Sequence, residues 1–175
     1  FELDTQNDFG LVQQRKRIFM FAVDRNRYRG NRLRPILEEV RTPQKLSDLL
    51  ESDVPEKYYL PPQNRYYKEI ISKWVEGEDT VIYQYRKYRV RKQRANHCPT
   101  LPANMGKGGH NVPFIVEKDK RIRKLTEREC LRLQGFDDKF IVPSSLLGAE
   151  LYHMIGNSVS PQVSFCLAKS IKQFF

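Results

Sequence analysis

Alternating apolar and polar residues predict two strands at the start of the chain, Glu2–Phe9 and Arg15–Val23. A polar turn is predicted around Asn7, Asp8 and Gly10, because these residue types favour turns. The run Ile18–Val23 is apolar on both faces. Such a strand is expected inside a sheet that is covered on both sides.

Three polar side chains, Gln13, Arg15 and Arg17, alternate with other residues at the start of that second strand. The two-residue period of a strand places all three on one side. They form either a row of donors that points into a cleft or a solvated strand end, and the pattern alone favours neither.

The middle of the chain is polar and rich in proline, and it predicts short elements. Residues Gln63–Val75 have the helical spacing, with an apolar face of Tyr67, Ile70, Ile71 and Trp74 that we expect in the core. Two further short helices are predicted at Pro35–Val40 and Pro43–Glu51, and a strand is predicted at Val81–Tyr85.

The best-defined element is a helix that starts at Thr126. Glu129 follows at the spacing of a capping box, and Gly135 can end the helix in the left-handed conformation. Its Arg128 and Arg132 either brace a loop or contact phosphate groups.

The C-terminal part predicts two more helices around a polar loop. Residues Ser145–Met154 are expected to form a short helix, and Gly156-Asn157-Ser158 a polar loop. Ser160 can cap a final helix with Pro161 at its first position.

Composition and charge favour a polyanionic partner. The 175 residues fit one domain or one and a half, with a formal net charge of +10. Nucleic acid is the leading expectation. A membrane is disfavoured, because no apolar run approaches 18 residues and no signal sequence precedes Phe1.

The start on Phe1 suggests a piece of a longer protein. Three widely spaced cysteines fit a reducing, cytoplasmic setting.

The densest positive charge lies in residues 86–94, which hold six cations and no acid. If each cation contacted one phosphate, log affinity would fall with log salt at a slope of about −5. A solvated basic loop is the alternative interpretation. The six cations are Arg86, Lys87, Arg89, Arg91, Lys92 and Arg94.

A glycine-rich segment follows at residues 98–110. Its three glycines allow close approach to a partner, and Lys107 adds charge. A plain glycine-rich loop is the alternative, since the spacing matches no nucleotide-binding fingerprint. No metal site is expected, because His97, Cys98 and His110 lack a suitably spaced fourth ligand.

Taken together, three ordered segments make the chain resemble the C-terminal portion of the DNA (cytosine-5) methyltransferases. The segments are similar to that family's eighth, ninth and tenth blocks, and the long ninth one is the most specific. They are Gln13-x-Arg15-x-Arg17-Ile18-Phe19, the segment from Arg123 to Phe136, and Gly156-Asn157-Ser158-Val159.

The resemblance implies an α/β fold: the C-terminal fragment of an S-adenosylmethionine-dependent methyltransferase with a small, largely β target recognition domain. Residues 1–57 would give catalytic-domain strands and a connector, 58–115 the recognition domain, and 116–175 the return to the catalytic domain. Thr100-Leu101 resembles the Thr-Leu pair of the family's base-reading loop.

The implied reaction is methyl transfer from S-adenosylmethionine to C5 of a cytosine flipped out of double-stranded DNA. By positional match Arg15 and Arg17, next to Gln13, would face the flipped cytosine or its phosphate. Asn157, Ser158 and Val159 would help to enclose the methionine part of the cofactor. The setting expected from the family is the bacterial cytoplasm, within a restriction-modification system.

The family's glycine-rich cofactor block and its Pro-Cys nucleophile are absent from this sequence. The chain alone is therefore expected to be inactive, with the missing N-terminal catalytic part supplied by the same polypeptide or by a separate subunit. Because the strand and the last helix would lose their neighbours, self-association of the fragment is also expected. The alternative function is a sequence-specific DNA-binding module that transfers no methyl group.

Overall fold

The computed structural model describes residues 1–22, 24, 26, 37, 42–78, 80–86, 88–106, 112–146 and 148–172. Within them lie two small antiparallel sheets and five α-helices. The helix predicted at Pro35–Val40 falls outside this part of the chain, except for Leu37. No helix of the described residues is long and apolar enough to cross a membrane.

The first sheet pairs β1 (Glu2–Asp4) with β2 (Lys16–Ile18), and α1 (Thr5–Phe9) lies between them. The predicted strand Glu2–Phe9 is thus wrong after Asp4. The cause is local: the Asp4 carboxylate accepts a hydrogen bond from the Gln6 N–H at 3.0 Å, and Gly10 at φ 68° ends the turn.

The second predicted strand is also shorter than expected: of its described residues, Arg15 to Ala22, only Lys16–Ile18 form β2. The apolar run that follows is not enclosed: Ile18 is 71% exposed and Met20 is 91% exposed. The expectation of a strand covered on both faces is therefore wrong for this chain by itself.

The second sheet consists of β3 (Tyr83–Arg86), β4 (Arg89–Lys92), β5 (Phe114–Val116) and β6 (Ile122–Lys124). Its strand order is β4-β3-β5-β6, and every neighbouring pair is antiparallel. Helix α2 (Arg65–Ile71) packs on it through Tyr66 and Ile70, so the predicted helix Gln63–Val75 is confirmed in its central part. The strand predicted at Val81–Tyr85 is confirmed in part, since β3 begins two residues later, at Tyr83, and ends at Arg86.

Helix α3 (Glu127–Gln134) lies where the sequence predicted it, between Thr126 and Gly135. Thr126 and Glu129 form both halves of the capping box, and Gly135 adopts φ 94°. The main core surrounds this helix, where Leu125, Cys130 and Leu133 are fully buried. Where Pro43–Glu51 predicted a helix, a 3-10 helix at Leu46–Leu49 packs on the same core.

The last two helices are α4 (Ala149–Asn157) and α5 (Pro161–Lys172). Helix α4 begins later than the predicted Ser145–Met154 and continues further, so Gly156 and Asn157 form its last turn and not a loop. Helix α5 starts at Pro161 as predicted, because proline needs no N–H partner in a first turn.

Candidate functional site

Gln13 lies at the centre of a buried hydrogen-bond network. Its amide nitrogen donates to the Leu133 carbonyl at 3.3 Å and to the Gln134 side-chain oxygen, and its own side-chain oxygen accepts from the Leu101 N–H at 3.0 Å. One fully buried side chain therefore connects the first segment of the chain to the end of α3 and to the glycine-rich segment.

Arg15 extends this network toward the last two helices. Its guanidinium donates to the Leu101 carbonyl at 3.1 Å, to Gly156 at 3.0 Å and to Ser158 at 3.3 Å. No carboxylate pairs with it among the described residues. Burial, and then the charge of Arg17, lower the pKa of Arg15 to about 10. A cation held only by carbonyl dipoles favours an anion nearby.

Gln134 joins the same network from α3. Its amide nitrogen lies 2.9 Å from the Ser158 carbonyl and 3.2 Å from the Ile155 carbonyl. The Ser158 hydroxyl in turn donates to Ile155 at 2.8 Å. The three segments that resembled family blocks, far apart in sequence, are thus fixed to one another by buried side chains.

A cleft of about 190 Å³ lies next to this network, between the first sheet and the start of α5. Arg15 and Arg17 both line it, as do Asn157, Ser158 and Val159. Arg17 is exposed, whereas Gln13 is fully buried and is not among the lining residues. The expected row of three donors is therefore divided: Arg15 and Arg17 line the cleft, and Gln13 makes the buried hydrogen bonds beside it.

The basic segment forms the hairpin β3–β4. Arg86, Arg89 and Arg91 are exposed and line an open cleft of about 580 Å³. The side chain of Lys92 is instead paired with Glu78. Arg94 donates to the Gln6 side chain at 3.0 Å, and Lys87 and Lys107 lie outside the described residues. The predicted cations are therefore not equivalent.

The Thr100-Leu101 pair lies against the first segment of the chain. The Thr100 hydroxyl donates to the Gln14 carbonyl at 2.8 Å, and the Leu101 side chain is fully buried. The expected contact of Leu101 with DNA does not fit this burial, because the side chain fills the core next to Gln13. We therefore leave the Leu101 side chain out of the proposed DNA surface.

The arginines of α3 brace loops, which decides between the two interpretations of their role. Arg128 donates to the Phe140 carbonyl at 3.0 Å, and Arg132 pairs with Asp138 at 2.7 Å. A buried ion pair joins β6 to this helix, since Arg123 donates to both oxygens of Glu129 at 2.8 Å.

All three cysteines of the chain, Cys98, Cys130 and Cys166, are buried. Burial raises the pKa of the Cys98 and Cys130 thiols well above the usual range, so neither forms a thiolate near neutral pH. In the part of the chain that the structure describes, no group of three or more His, Cys, Asp or Glu side chains is arranged to hold a metal ion.

Two residues of this site were missed by the sequence patterns. Gln134 was part of a quoted segment but received no role, and Gln84, on β3, was not singled out. A glutamine in a run of apolar and charged residues gives no local signal of its own. Gln134 is identified only by its buried contacts, and Gln84 only by a buried amide nitrogen that has no hydrogen-bond partner in the described part of the chain.

Comparison with known proteins gives a consistent result. The sequence profile of the family described as C-5 cytosine-specific DNA methylase matches residues 2–173. The type II methyltransferase M.Bsp6I of Bacillus sp. (strain RFL6) is 35% identical over 176 residues, which cover 98% of this chain and 54% of that protein. M.DsaV of Dactylococcopsis salina, also a type II methyltransferase, is 28% identical over 99% of this chain and 47% of its own length.

Solved structures share the fold. The methyltransferase EhMeth of Entamoeba histolytica has a TM-score of 0.59 at 17% identity, over 99% of this chain and 53% of that one. The Dnmt2 methyltransferase of S. pombe has a TM-score of 0.57 at 15% identity, over 99% and 55% of the two chains. The chain spans about half the length of the relatives it matches.

Proposed function

The chain belongs to the C-5 cytosine-specific DNA methylase family, and we propose that it forms the target recognition domain and the closing blocks of a DNA (cytosine-5) methyltransferase. The observation that carries this proposal is the buried network of Gln13, Arg15 and Gln134, which joins all three family-like segments beside a cleft that the first and third of them line.

The domain division that we propose follows the elements. Residues 1–57 and 116–175 belong with the catalytic domain, and 58–115 recognise the target. In support, the sheet β4-β3-β5-β6 and α2 have an apolar core of their own, and the network residues lie outside it. Strand β6 belongs to both regions, since Arg123 within it pairs with Glu129 of α3.

Double-stranded DNA is the proposed substrate, bound first by the exposed arginines of the hairpin. The target cytosine is then flipped out of the stack, because its C5 atom cannot be reached inside a duplex. We assign Arg15 and Arg17 to the flipped base or its flanking phosphate, since both line the smaller cleft and no carboxylate of the described residues pairs with either. Gln13 acts as a positioning residue for Arg15 and for the Thr100-Leu101 segment.

S-adenosylmethionine is the proposed cofactor, and it would supply the methyl group. The cleft of about 190 Å³ is below the ~300 Å³ at which pockets for drug-sized ligands begin, so this chain can hold only one end of such a molecule. Asn157, Ser158 and Val159 line that end and fit its methionine part through an amide, a hydroxyl and an apolar group. The remaining contacts would come from the catalytic part.

We propose that the chain is inactive by itself. The family's reaction needs a cysteine thiolate as nucleophile, and the three cysteines of this chain are all buried. The exposed apolar side chains of β2 and the residues after it, Ile18, Met20 and Phe21, fit a contact with the catalytic part, or with a second copy when that part is absent. Type II relatives suggest a role in restriction-modification in the bacterial cytoplasm.

The second candidate function is a DNA-binding module that transfers no methyl group. It is favoured only by the basic hairpin, which needs no cofactor. A pure binding module has no use for two guanidinium groups beside Asn157 and Ser158 in a separate cleft, so this geometry favours the enzyme.

One pair of variants of the full-length protein separates the two roles. Arg17→Ala is expected to abolish methyl transfer to DNA with a modest loss of DNA affinity. Arg86→Ala with Arg89→Ala is expected mainly to weaken binding and to flatten the salt slope by about 2, at roughly 0.9 ion per lost contact. Tritiated methyl incorporation and salt-dependent binding measure the two effects, and the reverse pattern would contradict the assignment.

A further inference from the structure

The hairpin β3–β4 has two chemically different faces. Gln84 lies opposite Arg91, and Arg86 lies opposite Arg89, so the alternation of a strand places these four side chains on the same face. The other face carries Tyr83 and the other apolar side chains that pack on α2. The polar face is therefore not needed for the core of this domain.

The polar face is unfavourable unless something complements it. Arg86 and Arg89 lie directly opposite each other, and two like charges in this position destabilise an antiparallel pair. Both arginines are exposed, and together with Arg91 they line an open cleft of about 580 Å³. The acid Glu78 is paired with Lys92, on the opposite face. A negatively charged or acceptor-rich ligand would remove the repulsion between the arginines.

Gln84 adds an independent observation at the same cleft. Its side chain is 2% exposed, and its amide nitrogen has no hydrogen-bond partner among the described residues. Its oxygen accepts from the Arg86 side chain at 3.3 Å. A buried donor without a partner is rare and unfavourable in folded proteins. Gln84 is one of the residues that line the cleft, so an acceptor atom of a ligand bound there is the candidate partner for this amide.

We propose that the β3–β4 ribbon reads base edges in the major groove of the target DNA, with Gln84 and Arg91 as specificity-determining residues. This inference rests on the proposed function and names the residues that select the sequence. A two-stranded ribbon fits the major groove of B-form DNA. Arginine matches the O6 and N7 acceptors of guanine, and glutamine matches N6 and N7 of adenine.

Base reading differs from phosphate binding in what a lysine can replace. A lysine keeps the charge for a phosphate but loses the two-pronged match to guanine. Arg91→Lys in the full-length protein is therefore the decisive variant, and we expect it to fold normally because Arg91 is exposed. Gln84→Leu removes the amide with little change in volume. Arg121→Lys is the matched control, because Arg121 is exposed and directly precedes β6, the edge strand opposite β4.

The experiment is selection of bound duplexes from a random-sequence DNA library, followed by sequencing of the bound fraction. We expect the unmodified protein and Arg121→Lys to enrich one motif that contains a guanine. Arg91→Lys is expected to lose discrimination at that base pair by about 5- to 150-fold and to keep the other positions. Gln84→Leu is expected to lose discrimination at a neighbouring position by a similar factor.

Three results would overturn the inference: an unchanged motif in both variants, a uniform loss of affinity for every sequence, or no enriched motif for the unmodified protein. Methyl transfer to the same library is measured separately with tritiated S-adenosylmethionine. A methylating enzyme whose motif ignores both variants would refute the ribbon's role and leave the proposed function standing.

Discussion

Removal of the Arg123 guanidinium tests the most deeply buried ion pair among the residues that the structure describes. Its side chain is 1% exposed, and it meets both oxygens of Glu129, which is fully buried. Glu129 also accepts from the Thr126 N–H at 2.8 Å and from the Glu51 N–H at 2.9 Å. Arg123→Met keeps most of the side-chain volume but leaves the Glu129 carboxylate buried without a counter-charge.

The expected loss is large because a carboxylate that stays buried without its partner cannot recover its hydration. Breaking a buried pair from one side costs about 3–5 kcal/mol. A domain of this size has a total unfolding free energy of only about 5–15 kcal/mol. With a urea m value of about 2 kcal/mol/M, the midpoint should fall by roughly 1.5–2.5 M.

Urea unfolding followed by circular dichroism measures this shift. The matched control is Arg121→Met, the same substitution two residues away, where the arginine pairs with Glu56 at the exposed surface. We expect little change there, because solvent screens exposed ion pairs. Adding Glu129→Gln to Arg123→Met removes the unpaired charge and should recover part of the loss. Equal midpoints for the two single variants, or no recovery in the double variant, would refute the reasoning.

Three further predictions follow from the site. Gly156→Ala places a methyl group 2.3 Å from the Pro102 carbonyl, so thermal unfolding should show a loss of about 1–3 kcal/mol. Gln134→Leu removes the amide that contacts Ser158, and should reduce methyl transfer by the full-length protein far more than its DNA affinity in a binding titration. Burial raises the thiol pKa of Cys98 and Cys130, so iodoacetamide at neutral pH should label them only after unfolding, as mass spectrometry would show.

The sequence predicted α3 completely because every signal for that helix is local. Thr126, Glu129 and Gly135 act within the helix and its two ends, and the structure contains each of these interactions. The start of α5 was predictable for the same reason. Capping and left-handed glycine chemistry operate over three or four residues, which a sequence displays directly.

The first sheet was harder to predict because two effects compete there. Glu2–Phe9 has a strand-like alternation, but the Asp4 side chain accepts backbone hydrogen bonds and starts a helix at the next residue. The apolar run Ile18–Val23 predicted a buried strand, but its Ile18, Met20 and Phe21 are exposed in the chain by itself. That pattern is consistent with a surface that another part of the protein covers.

The candidate site was predicted in its members but not in its arrangement. Period two correctly placed Arg15 and Arg17 at one cleft. The buried roles of Gln13 and Leu101 depend on partners far away in sequence: the Gln13 amide contacts Gln134, 121 residues further along. No local pattern encodes such a contact, and only the folded chain reveals it.

The central claim is that this chain recognises the target while the catalytic nucleophile comes from elsewhere. The most direct measurement is transfer of tritiated methyl groups from S-adenosylmethionine to C5 of cytosine in duplex DNA. Methyl transfer is measured once with the 175-residue chain alone and once with the catalytic part added. The comparison is the same whether one reading frame or two encode the two parts. The account predicts no transfer by the chain alone and site-specific transfer when both parts are present. Transfer by the chain alone, or none with both parts present, would contradict it.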